Sequence, residues 1–97
     1  MIETRAAAQK LSIFTVSLTT TGASQNSSIP AYTNFICINN PDTAIAIKFS
    51  FDNTNYATIA AGSSFSFDCA DFKARNTLYL KSASGTPTAE VICGYEA

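Results

Sequence analysis

From Ile45 to Phe51 the chain reads IAIKFSF, with Ile45, Ile47, Phe49 and Phe51 alternating with Ala46, Lys48 and Ser50. An extended chain sends successive side chains to opposite faces, so strict alternation makes this segment a strand with one face on a core. The four large residues are expected to share that buried face, and Lys48 to lie on the other. What the rest of the chain supplies around this strand decides the fold.

Downstream, Asp52-Asn53-Thr54-Asn55 is a turn, and Tyr56 to Ile59 is a short returning strand that closes a hairpin. Ala61-Gly62-Ser63 turns the chain again, and Phe65 and Phe67 alternate with Ser64, Ser66 and Asp68 in a further strand. Cys69 to Asn76 has no period of two and reads as a single helical turn or an irregular crossover. Thr77 to Ser82 and Thr88 to Gly94 are strands joined by a turn in which Gly85 supplies positive φ and Pro87 marks a strand's first residue or its edge.

Upstream, Leu11 to Thr19 reads LSIFTVSLT. Leu11 and Ile13 take one parity while Phe14, Val16 and Leu18 take the other, which predicts a bulge or two covered faces. Thr20 to Ser28 holds no large apolar residue and reads as a loop. Pro30 opens a strand over Ala31 to Asn39 that ends at the Asn39-Asn40-Pro41-Asp42 turn. About seven short strands at near-regular intervals make an all-β chain, either two packed antiparallel sheets or a small barrel. Residues 1–10 are helix-friendly and are expected to form a short helix or an arm, leaving residues 11–97 as one β domain.

Ninety-seven residues leave no room for a second core. Only 13% of them are charged, against about 25% in typical soluble domains, with Ser, Thr, Asn and Ala in their place. Such a surface repels its own copies weakly, so self-association or docking on a larger assembly is expected. A net charge of −1 with six Lys and Arg gives no footprint for a phosphate backbone, and nucleic acid is not an expected partner. No apolar run approaches the roughly eighteen residues needed to span a bilayer, so the chain reads as soluble and unsecreted, with no membrane partner.

Chemistry is hard to find in these residues. The chain has no histidine, which removes Ser-His and Cys-His nucleophile pairs. Cys37, Cys69 and Cys93 match no zinc spacing and no disulfide framework, and each reads as a small apolar residue filling a core gap. A Cys37–Cys93 bridge stays open if their strands are neighbours. Asp68 and Asp71 could pair as acid and base or hold a hard cation, but they read better as turn chemistry, one accepting backbone hydrogen bonds and the other capping. Asp52-Asn53-Thr54-Asn55 looks like the opening of a calcium loop without its glycine or distal Glu, and reads as a hairpin turn. Tyr32, Tyr56, Tyr79 and Tyr95 could form a recognition surface or pack as core and rim. No glycine-rich phosphate loop exists. No catalytic, cofactor-binding or metal residue is assigned, and no cofactor is expected.

A layout does emerge from the second half of the chain: a strand ending in Asn39-Asn40, a strand ending Phe49-Ser50-Phe51-Asp52, then Ala61-Gly62-Ser63 and Phe65, then Asn76-Thr77-Leu78-Tyr79-Leu80-Lys81-Ser82-Ala83-Ser84-Gly85-Thr86, and a final strand from Ala89 to Cys93. Over roughly Ile29 to Gly94 this resembles small tailed-bacteriophage virion proteins of the capsid auxiliary, decoration or adaptor type. The resemblance implies an antiparallel β-sandwich, immunoglobulin-like or jelly-roll, attached to a virion assembled in the host cytoplasm and contacting a major capsid or other virion protein. It carries over no catalytic residue. The expected function is therefore a non-enzymatic virion structural protein, acting as a homo-oligomer. A carbohydrate- or peptide-binding β-sandwich that recognises a host surface is the alternative, favoured if the tyrosines ring one shallow groove.

Overall fold

Alternating apolar and polar residues fold this chain into a ribbon of nested antiparallel pairs rolled into two layers. The computed structural model describes residues 9–96. In chain order the strands are β1 (Gln9–Ser17), β2 (Ala23–Ser24), β3 (Thr33–Asn39), β4 (Ile47–Ser50), β5 (Ala57–Ile59), β6 (Ser64–Asp68), β7 (Tyr79–Ser82) and β8 (Thr88–Glu96), with one helical turn, α1 (Phe72–Arg75), between β6 and β7. β4 pairs with β5, β3 with β6, β2 with β7 and β1 with β8, all antiparallel. Successive pairs alternate between layers, so one sheet has the order β1-β8-β3-β6 and the other β2-β7-β4-β5. This is the jelly-roll order, not the immunoglobulin-like one, and it confirms the all-β antiparallel sandwich.

The expected seven strands become eight because β2 lies inside the Thr20–Ser28 segment that composition marks as a loop. Ala23 and Ser24 are both exposed, and they hold their place by pairing with Leu80 and Tyr79 of β7. Backbone pairing of that kind leaves no side-chain pattern to read. The expected arm over residues 1–10 is corrected at its end, since Gln9 and Lys10 already belong to β1; residues 1–8 lie outside the described residues. Of the two readings of β1, a bulge or two covered faces, the bulge is absent: nine consecutive residues pair in unbroken register with β8.

Between the sheets Ile36, Ile38, Ile47, Leu78, Leu80, Ala89, Val91 and Cys93 have no accessible surface. An aromatic cluster closes the end where β6 faces β4 and β5. Phe49 stacks on Phe65 across the two sheets with centroids 4.9 Å apart, and Phe51 meets Phe67 and Phe72 edge-on at 5.5 and 5.9 Å. Ile47 and Phe49 are buried as their alternation predicts, but the expectation that Ile45 and Phe51 complete the same strand is corrected. Phe51 is 46% exposed and lies past the end of β4, and Ile45 precedes it.

Hydrogen bonds to side chains explain why β4 stops short. Asp42 Oδ1 accepts the backbone N–H groups of Ala44 and Ile45 at 2.8 and 2.7 Å. The fully buried Asn40 then donates from Nδ2 to the carbonyls of Ile45, Ile59 and Ala60, and Asn40 Oδ1 accepts from the Asp42 N–H. These bonds hold a bend at Thr43 and Ala44 before the strand begins. Buried polar groups are stable only when paired in this way.

Phe49 joins the two sheets through a stacked ring, so Phe49→Ala removes both packing and the inter-sheet contact. The expected loss is about 3 to 5 kcal/mol of unfolding free energy, typical of a truncated core aromatic. Urea denaturation monitored by circular dichroism measures it, and a loss below about 1 kcal/mol would mean that the aromatic cluster does not hold the sheets together.

Candidate functional site

The residues singled out for chemistry are brought together by turns rather than by a catalytic centre. Asp52 sits at the head of the β4–β5 hairpin, where its Oδ1 accepts the N–H groups of Thr54 and Asn55 and the Ser50 hydroxyl, each at 2.8 Å. Asn55 Nδ2 donates to Asp52 Oδ2 at 2.9 Å. These bonds tie Asp52 to its own turn, and the segment is a hairpin turn. The same bonds, led by the Asn55 and Thr54 amides, hold the Asp52 carboxyl far below the ordinary carboxylate range. Asp42 is lowered in the same direction by the amides of Ala44 and Ile45.

Asp68 is exposed on β6, and Asp71 begins α1 with a left-handed backbone at φ 49°. The expectation that one of the two caps the turn is corrected. Asp71 makes no side-chain cap; its Oδ1 accepts the N–H of Tyr32 at 3.2 Å, from a residue that is also left-handed at φ 63°. These two residues form one wall of a shallow hollow of about 290 Å³, lined also by Asn34, Cys69, Ala70 and Glu96. Its size is at the low end for small-molecule pockets. Of the four tyrosines only Tyr32 reaches it: Tyr56 and Tyr79 lie with the β2-β7-β4-β5 sheet, and Tyr95 pairs opposite Lys10 and Thr33. The tyrosines therefore do not ring one groove.

Cys37, Cys69 and Cys93 are free. β3 and β8 are indeed neighbours, yet Cys37 stands opposite Ile92 and Cys93 opposite Ile36, so the two thiols project from opposite faces of the sheet. Cys93 points into the core, and burial pushes its thiol up to about 11. Cys37 points outward and is only partly buried. Among the described residues no group of three or more His, Cys, Asp or Glu side chains is placed to hold a metal ion. No helix among them is long and apolar enough to cross a membrane.

The least expected feature is the outer face of the β1-β8-β3-β6 sheet. The pairing register sets Ile13 beside Ile92, Ile92 beside Cys37, and Cys37 beside Ser66. A second row runs Leu11, Gly94, Phe35 and Asp68. Leu11 and Ile13 are each 65% exposed, and Phe35, Cys37 and Ile92 are partly exposed. An apolar band therefore crosses the outside of the sheet, uncovered by any other described element. At its end Gln9 and Asn34 exchange side-chain hydrogen bonds at 3.1 and 3.4 Å, bridging β1 to β3 over Gly94. A Cβ on Gly94 would lie 2.6 Å from Gln9 Nε2, the end of a flexible side chain that can swing aside, and 3.3 Å from Phe35 Cβ, so space there is tight.

Because the Asp52 carboxyl is held lower in the folded chain than in the unfolded one, its stabilising effect is complete above the ordinary value of 3.8 and is lost as pH falls from there toward the folded value. Asp42 acts with the same sign. Stability is expected to drop between pH 5 and pH 2, and Asp52→Asn is expected to lose less across that window than the wild type. Urea midpoints at both pH values read this; equal acid losses in the two proteins would contradict it.

No protein-family model matches the chain, and no curated protein matches it. Among solved structures, the fold is similar to a chain from a Bacillus endospore appendage, described as one of a novel family of disulfide-linked pili. The two are 17% identical, the alignment covers 99% of this chain and 94% of that one, and the TM-score is 0.57. At that identity the likeness is one of fold.

Proposed function

We propose that this chain is a structural subunit that acts by packing against other copies and neighbouring proteins in a repetitive assembly, without catalysing a reaction. The observation that carries this reading is the apolar band on the outer face of the β1-β8-β3-β6 sheet, with Leu11 and Ile13 each 65% exposed. Single exposed apolar residues are ordinary, but a contiguous band across a sheet marks a surface that another molecule covers. The low charge of the chain lets copies approach with little repulsion.

Two kinds of assembly fit. The resemblance over Ile29 to Gly94 to phage auxiliary and decoration proteins favours a virion, with a capsid protein as the neighbour. The fold likeness to the subunit of an endospore pilus favours a fibre. Both readings share the coarser role of a homo-oligomeric structural protein. A carbohydrate- or peptide-binding module draws no support from the tyrosines, since Tyr32 stands alone at the shallow hollow.

Light scattering over a range of concentrations tests the shared role. The wild type is expected to exceed its monomer mass of 10.3 kDa, with larger species as concentration rises. The double variant Leu11→Ser, Ile13→Ser is expected to weaken association at least tenfold while changing stability by less than about 1 kcal/mol, because both side chains are mostly in solvent. A wild type that stays monomeric at every accessible concentration would overturn the proposal.

A further inference from the structure

We propose that the apolar outer face of the β1-β8-β3-β6 sheet is covered by the outer face of the β2-β7-β4-β5 sheet of a second copy, so that subunits stack head to tail. This rests on the structural-subunit reading above and names the two surfaces it uses.

The charges on the two faces are opposite. On the first face the register places Glu96 beside Gln9, Glu90 between Thr15 and Asn39, and Asp68 beside Phe35. The strand residues of that face include no Lys or Arg. Three carboxylates thus border an apolar centre. Glu90 is held in place by Asn39, whose Nδ2 donates to it at 2.8 Å.

On the second face Lys48 of β4 stands directly opposite Lys81 of β7, with Thr58 of β5 on the other side of Lys48. Neither Asp nor Glu occurs in these strands. Asp52, on the turn beyond β4, stays ionised and stands near Tyr56 at the edge of this face, so the strands themselves carry two ammonium groups and the turn one carboxylate. Lys81 Nζ sits 4.1 Å above the Tyr56 ring, which leaves the Lys48 ammonium without that contact. Like charges directly opposite on neighbouring strands destabilise a sheet. A carboxylate arriving from another molecule would offset that repulsion.

The chemistry of lysine suits this match. Its four-carbon stem covers apolar surface while its ammonium reaches a polar partner. Successive residues on one face of a strand lie about 7 Å apart, so a lysine stem laid over Ile92 and Ile13 brings its ammonium within reach of Glu90. Pairing the first face with its own copy would instead bring carboxylates against carboxylates. A contact between two different faces leaves one of each free on every dimer, so it propagates into a ring or a filament. The second face is small, since β4 and β7 have four residues each, and a single contact is correspondingly weak. Repetition along the assembly gives it strength.

Charge reversal on full-length chains tests the pairing, read by light scattering. The variant Lys48→Glu, Lys81→Glu makes both faces acidic, and the variant Asp68→Lys, Glu96→Lys turns the charge of the first face toward basic. Each alone is expected to associate at least tenfold more weakly than the wild type. Mixed in equal amounts they are expected to associate again, because each acidic face then meets a basic one. Melting curves establish that both variants fold. If the second one melts well below the wild type, Glu90→Gln replaces it, keeping the Asn39 hydrogen bond and losing the charge, with association expected to weaken severalfold.

If the wild type associates and the variants associate equally well, the face pairing is overturned while the structural-subunit reading stands. If the two charge-reversal variants, both folded, lose association and do not recover it on mixing, the pairing is also overturned. A monomeric wild type would overturn the underlying reading as well.

Discussion

The structure depends on the position of β8 between β1 and β3. Nine residues of β8 pair with β1 on one side, and six of them pair with β3 on the other. Because side chains alternate strictly, the register that buries Ala89, Val91 and Cys93 also turns Glu90, Ile92 and Glu96 outward. A slip of one residue would exchange the two sets, placing two acids in the core. The same pairing aligns Ile13 and Cys37 with Ile92, so the geometry that makes the core also makes the apolar band outside it.

Around that centre, polar side chains decide where strands end. Asn40 and Asp42 satisfy backbone groups where β4 begins, Asp52 satisfies those of the turn where it ends, and the Gln9–Asn34 amide pair bridges β1 and β3. The aromatic cluster of Phe49, Phe51, Phe65, Phe67 and Phe72 fills the side where β6 faces β5. With those groups satisfied locally, the chain's remaining unmet demand is apolar and lies on its outer surface. That is the physical basis for treating it as a subunit.

Much of this fold is legible in the order of the residues. Alternation around Ile47 and Phe49 identifies a real strand and its buried face, and alternation around Phe65 and Phe67 identifies a real edge strand whose rings pack inward although Phe65 stays 43% exposed. Cys69 to Asn76 holds the expected helical turn. Other features have no such signature. β2 pairs through its backbone, and Asn40 looks in sequence like any turn asparagine. In β1, apolar residues of both parities suggest two covered faces, yet the described chain covers only the face of Phe14 and Val16. The apolar band is legible only as an anomaly, since it is assembled from Leu11, Phe35 and Ile92 on three strands whose register no local pattern reveals.

The central claim is that this outer face is a buried surface in the working assembly, and Cys37 reports on it directly. Its thiol lies in the middle of the band, while Cys93 on the neighbouring strand points into the core and serves as an internal reference. Alkylation with iodoacetamide, followed by peptide mapping, compares the two thiols in dilute and in concentrated protein. Cys37 is expected to react in dilute solution and to become at least tenfold slower as the protein associates, with Cys93 slow throughout. Equal Cys37 reactivity in the monomer and in the assembly would contradict the claim.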